Sequence, residues 1–316
     1  MHDYLSTPRK SAFETFFSTS TKAELQGVYR WHQAVSSTFM ALMNDFEIVL
    51  RNTIHFALSN YYDPSNSDSF DWMGSTIIQT GASPNHIAHR LNGSRRFRNN
   101  GDVDYTGALG KIQDAIREIV DDSEPVTPDA VVAKLSFGFW PILLDKLKHP
   151  SHSAYKATLL HKMFLNAPSH DDSFRNLISA QLFQIRLLRN RLGHHDSLLK
   201  FREVNHLGVP GFFPVKPRHT INSMKLMVDN MVRILDWVDH NLAISLRQSD
   251  HWSRLANLLS VDMMGYYRFH HGNANSYEKG IIYKEQIKKA KLFQAKKKYR
   301  KAKFPEGFNI IKSYPH

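Results

Sequence analysis

One stripe of side chains constrains the fold more than any other feature. Trp31, Val35, Phe39, Leu42, Phe46, Leu50, Ile54 and Leu58 recur at steps of three or four residues. That spacing places all eight on one face of an α-helix, and at 1.5 Å per residue such a helix is about 42 Å long. A chain carrying this stripe must build its core from long helices. The stripe ends near Tyr62, where Asp63-Pro64-Ser65-Asn66 supplies turn chemistry. A second periodic helix is expected over Phe174, Ile178, Leu182, Ile185, Leu188 and Leu192, with Gly193 as its C-terminal stop. A third covers Ile221, Met224, Val228, Met231, Leu235, Val238 and Leu242, in the heptad-like steps that suit antiparallel packing. Few segments alternate as strands do and no internal repeat is visible, so the expected class is all-α.

The stretches between these helices set the organisation. Residues 64–104 are rich in Ser, Asn, Gly and Asp, carry the basic cluster Arg95-Arg96-Phe97-Arg98, and read as a long loop or insertion. A helix is expected to resume over about Tyr105–Val120. Pro125 and Pro128 then lead into Val131 to Trp140, whose aromatic density implies core packing rather than base stacking. Beyond about residue 250 the periodicity weakens, and Tyr277–Lys303 reads as a largely helical basic segment outside the bundle core. The expected division is a helical domain over 1–250 and a basic C-terminal extension over 251–316, compatible with 316 residues.

Composition narrows the chemistry. Cysteine is absent, which removes disulfides, thiolate metal sites and cysteine nucleophiles and fits a reducing compartment. No apolar run approaches the roughly 20 residues of a membrane span, and Met1 to Lys10 has no signal-peptide core. A cytoplasmic location without membrane association is expected. The net charge of +12 is concentrated: ten Lys/Arg between Lys284 and Lys303, against Glu285 alone, give that segment +9. Lys288, Lys289, Lys291, Lys296, Lys297, Lys298 and Arg300 are candidate phosphate contacts, an anionic membrane surface being a rival partner.

Chemistry concentrates in Arg189-Asn190-Arg191-Leu192-Gly193-His194-His195-Asp196, at the end of the second helix. A guanidinium offers a planar fork that matches phosphate oxygens and can stabilise charge on a phosphorane. An imidazole titrates near neutrality and moves protons, and Asn190 can donate and accept to orient either group. With a ribose 2′-OH as nucleophile, these groups suffice for RNA cleavage without a metal. The same residues could equally complement the negative end of the helix dipole.

Arg189 to Asp196 resembles the "RNRxAHHE" signature of the Abi-like (abortive infection, AbiD/F type) proteins, a form of the Arg-x(4–6)-His motif of the HEPN superfamily. Two further blocks match in order: Phe46-Glu47-Ile48-Val49-Leu50-Arg51-Asn52 is similar to the "LEvaLRN" helix, and Leu135-Ser136-Phe137-Gly138-Phe139-Trp140 to the "LSFGFW" block. The resemblance covers roughly residues 25–245. Gly193 stands where alanine is common and Asp196 where glutamate is usual. The resemblance implies a HEPN-type helical bundle, a homodimer with two Arg/His motifs facing one cleft, and a metal-independent endoribonuclease. It also implies phage defence or a toxin role, with an RNA or protein antitoxin as a further partner. Arg189 would stabilise the transition state, His194 would be the acid/base and Asn190 would position the phosphate.

Glu47, Arg51 and His55 fall at i, i+4 and i+8 on one stripe. They read either as a polar network supporting Arg189 and His194, with Asn52 in the same group, or as an ordinary pair on a half-exposed face. His195 and Asp196 are supporting candidates, and Arg191 is a candidate RNA contact or helix cap. The pairs His86/His89 and His270/His271 lack a third ligand at a familiar spacing, so neither a metal nor another cofactor is expected. Two other readings remain: a non-catalytic RNA- or protein-binding module, and, more weakly, a histidine-based metal hydrolase.

Overall fold

The computed structural model describes residues 5–73, 95–97, 103–105, 107–147, 153, 155–270 and 275–303. Among the described residues the fold is all-α. It comprises twelve helices and one pair of three-residue strands, β1 (Arg95–Phe97) antiparallel to β2 (Val103–Tyr105). Most of the expected 64–104 insertion lies outside the described residues.

Two compact units divide the chain, Ala34–Ala256 and a second made of residues up to Gln33 with those from Asn257 onward. Residues from Asn257 onward thus group with the N-terminal residues rather than forming a unit by themselves.

In the second unit, α1 (Thr7–Phe17) and the start of α2 (Lys22–Tyr62) pack with α11 (Val261–Phe269) and α12 (Ser276–Lys303). The guanidinium of Arg268 fastens them, donating to Glu24 Oε2 at 2.6 and 3.0 Å and to the carbonyls of Phe17 and Ser18. Trp31 Nε1 donates to Leu258 O at 2.9 Å. A Cβ at Gly27 would run into Tyr267 O, so α2 and α11 cross in backbone contact that only glycine permits.

The larger unit holds the rest of α2 and the helices from α3 (Gly107–Asp121) to α9 (His240–Gln248). Every residue of the founding stripe from Trp31 to Leu58 is at most 2% exposed. The helix runs 41 residues and begins earlier than the stripe shows. The Val131–Trp140 segment forms α4 (Pro128–Lys134) and, after a break, the start of α5 (Phe139–Lys146). Phe137, Phe139 and Trp140 are fully buried, Phe137 lying 6.3 Å from the ring of Phe46 on α2. After α6 (Lys156–Met163), α7 (Asp172–Gly193) packs on α5, and a Cβ at Gly138 would press on the Arg186 side chain. Asp171 caps α7, accepting from the Phe174 amide and from Ser169 and Ser173; those hydrogen bonds, Ser173 first, hold its pKa down at about 2.

The third periodic segment is not one helix. It splits into α8 (Pro217–Val238) and α9, because Asp239 leaves the helical region and its side chain accepts from the Asn241 amide, capping α9. Leu242 therefore belongs to α9. A ninth-to-tenth turn then leads to α10 (Asp250–Leu258).

Candidate active site

The three sequence blocks are neighbours in space. Phe46 meets Phe137, Arg51 Nη1 reaches Ala133 O at 3.4 Å, and Arg186 of α7 lies against Gly138. All three belong to the larger unit.

The motif closes α7 by a left-handed cap, and Gly193 is not the residue that makes it. Gly193 stays helical, His194 is the C-cap, and His195 takes φ 54°. Its amide bonds to Leu192 O at 3.1 Å and that of Asp196 to Arg191 O at 2.8 Å, the two bonds of a Schellman motif. A non-glycine residue in this conformation costs about 1–2 kcal/mol. Arg191 reinforces the cap, Nη1 donating to Ser197 O at 3.1 Å.

Within a protomer, Arg189 stands apart from the other two expected catalytic side chains, Asn190 and His194. At 100° per residue, Arg189 and His194 are about 140° apart around the helix, whereas Asn190 and His194 differ by only about 40°. Arg189 turns toward α2, its Nε 3.6 Å from Glu47 Oε2, with its side chain 37% exposed and that of Glu47 13%. Its guanidinium runs along the last turn, Nη1 lying 3.8 Å from the Cβ that Gly193 lacks. Arg189 Nε and Arg51 Nε are buried without a hydrogen-bond partner among the described residues.

Asn190 and His194 instead line a cleft of about 280 Å³, together with Arg191, Asp196, Leu187 and Gln184 from α7 and its cap, and Lys200, Phe201, Arg202 and Phe213 from the following loop. Three fixed cations against one carboxylate make it suited to an anion. The loop residues did not emerge from the sequence, although Lys200-Phe201-Arg202 interleaves basic and aromatic side chains.

The expected Glu47–Arg51–His55 group also divides. Glu47 meets Arg189, and Arg51 ties α2 to α4. His55, 1% exposed, joins a different network: Trp72 Nε1 donates to its Nδ1 at 2.9 Å, which leaves Nε2 to donate to Asp68 Oδ1 at 2.8 Å. Burial holds the His55 pKa below its ordinary value, against the opposing pull of Asp68. Asn52 is half-buried on α2.

Of the basic helix, side chains from Lys288 to Leu292 are all exposed, with Lys291 3.9 Å from Asp262. The side chains of Lys296, Lys297, Lys298 and Arg300, together with His86, His89 and His271, lie outside the described residues. His270 stacks on Tyr266 at 4.3 Å. Among the described residues no three His, Asp or Glu side chains gather as metal ligands, and no helix is long and apolar enough to cross a membrane.

No family model, curated protein or solved structure matches this chain. The Abi-like resemblance therefore rests on the three sequence blocks.

Proposed function

We propose that the chain is a metal-independent endoribonuclease of the HEPN type, working in the cytoplasm in phage defence or as a toxin. The observation that carries this reading is the pairing of Asn190 and His194 on a cationic cleft, with an under-bonded Arg189 held by Glu47 on the same last turns of α7. In the reaction the ribose 2′-OH attacks the adjacent phosphorus and the 5′-oxygen leaves, giving a 2′,3′-cyclic phosphate. His194 moves the proton, Asn190 orients the phosphate, and a guanidinium stabilises the charge that develops on its oxygens.

Arg189 and His194 reach one phosphate most simply across two copies. Phe183 and Leu187, 47% and 40% exposed, lie on the same side of α7 as Asn190 and His194. Burying that apolar stripe against its twin would bring two motifs to a shared cleft.

The test is cleavage of RNA in excess EDTA, with the new ends mapped. Cyclic-phosphate or 3′-phosphate ends, lost in His194→Ala and Arg189→Ala, are expected. A His194→Ala protein that cuts as fast as its parent would overturn the acid/base assignment. The separation of Arg189 from His194 within one protomer favours the second reading, a binding module for RNA or a protein antitoxin that does not cleave. Salt-sensitive RNA binding without turnover would select it.

A further inference from the structure

We propose that the loop after α7, residues 197–215, is a subsite for one nucleotide of single-stranded RNA, its base stacking on the Arg202–Phe213 pair and its phosphate meeting Arg191 and Lys200. The inference rests on the reading of RNA as the ligand and adds residues and a recognition mode to it.

The Arg202 guanidinium lies over the Phe213 ring, 4.0 Å from its centroid, yet Phe213 remains 51% exposed. A half-open aromatic face backed by a guanidinium is the surface on which unpaired bases stack, and duplex bases are too deeply engaged with each other to use it. Beside it, Arg191 and Lys200 present cations at the same cleft as His194, over a floor formed by buried Phe201. The cleft falls just below the roughly 300 Å³ at which drug-sized pockets begin, a scale that suits a single monomer.

The loop is held in place before any ligand arrives. Asn230 Nδ2 donates to Val204 O and Asn205 O at 3.2 Å, and the Asn205 side chain accepts from the Leu207 and Val209 amides. Val204 bridges Pro210, and Gly211 N bonds to Glu203 O at 2.7 Å. Gly208, at φ 75°, lets the loop touch the backbone of α7, where a Cβ would lie 2.8 Å from Gln181 N. A pre-ordered loop loses little entropy on binding, and this one places the half-exposed Phe213 in the cleft beside the motif, while Phe212 meets His219 edge-on.

Binding is read by fluorescence anisotropy with the full-length His194→Ala protein in EDTA, using a short oligouridylate and an abasic strand of equal length. Phe213→Ala is expected to weaken oligouridylate binding about tenfold, as for one lost base–aromatic stack, while changing abasic binding less than about twofold. Arg202→Lys, which keeps the charge but not the planar fork, is expected to lose a comparable factor. Melting curves check that both variants fold. The subsite is refuted if Phe213→Ala binds oligouridylate as its parent does, or if the parent binds the abasic strand as tightly as RNA. The nuclease reading is judged separately: uncut RNA with a Phe213-dependent affinity would leave the subsite standing alone, and cleavage with Phe213-independent affinity would do the reverse.

Discussion

Arg189 Nε lies 3.6 Å from Glu47 Oε2, so the motif helix is joined to the longest helix of the fold through one of its own functional candidates. The distance brings charge neutralisation without a hydrogen bond, and the guanidinium keeps hydrogen-bonding capacity for another anion. Glu47→Gln preserves the shape and removes the charge. Cleavage is expected to fall about tenfold, against a hundredfold or more for Arg189→Ala, the usual loss when a transition-state donor is deleted. Because the pair is partly exposed, stability should change by less than about 1 kcal/mol. Single-turnover cleavage and urea melts together separate these effects; an Arg189→Ala enzyme cutting at the parental rate would remove Arg189 from the chemistry.

The cap of α7 makes a prediction independent of function. His195 sits in the left-handed conformation and Gly193 in the helical one, the reverse of their intrinsic preferences. Gly193→Ala places its methyl 3.8 Å from Arg189 Nη1, an ordinary contact, and should stabilise by about 0.5–1 kcal/mol. His195→Gly should stabilise by about 1 kcal/mol. Thermal melts that show both substitutions destabilising would mean that the cap geometry is wrong.

The same turn shows what the sequence could and could not convey. The long stripes of α2 and α7 were legible because burial repeats with the helical period, and the aromatic block at Phe137–Trp140 because its composition has few places but a core. Which residue breaks α7 was not legible: it depends on two backbone bonds, and glycine only permits the left-handed turn. Asp239 split an unbroken heptad pattern by capping the following helix, a local bond that periodicity cannot register. The Ser/Asn-rich stretch after Tyr62 concealed Trp72, fully buried and donating to His55, because its polar neighbours dominate any window average. For the site, the motif was readable as a string, but its division between the α2 side and the cleft side follows from helix phase and from the fold of the 197–215 loop.

His32 should make stability depend on pH. It is 6% exposed, edge-on to Phe13 at 5.2 Å, and burial, with a smaller contribution from Arg9, pushes its pKa down to about 4. In the unfolded chain it returns to 6.5, so the unfolded state takes up the proton first on acidification. The stabilisation is complete above 6.5 and is lost as pH falls toward 4, an effect of about 3 kcal/mol at 1.36 kcal/mol per unit. Urea melts across that window should show the slope in the parent and a much flatter profile in His32→Gln. An equal slope in both proteins would assign the effect to other groups.

The basic helix α12 should set the salt dependence of RNA binding. At 28 residues it is about 42 Å long, and Lys288, Lys289 and Lys291 fall at about 0°, 100° and 300° around it. Lys279, exposed on the same helix at about 180°, divides the arc that those three leave, so no wide lysine-free face remains to lie in a bilayer, which favours a polyanion over a membrane surface. Each single-strand phosphate contact contributes about −0.7 to the slope of log affinity against log salt. Replacing all three lysines by glutamine should therefore make the slope shallower by about 2, somewhat less if Lys291 stays engaged with Asp262. The loss should be nearly the same for every RNA sequence, because phosphate contacts carry no base information. If the triple variant kept the parental slope, the helix would not touch the RNA backbone, and the cleft beside His194 would have to account for the affinity by itself.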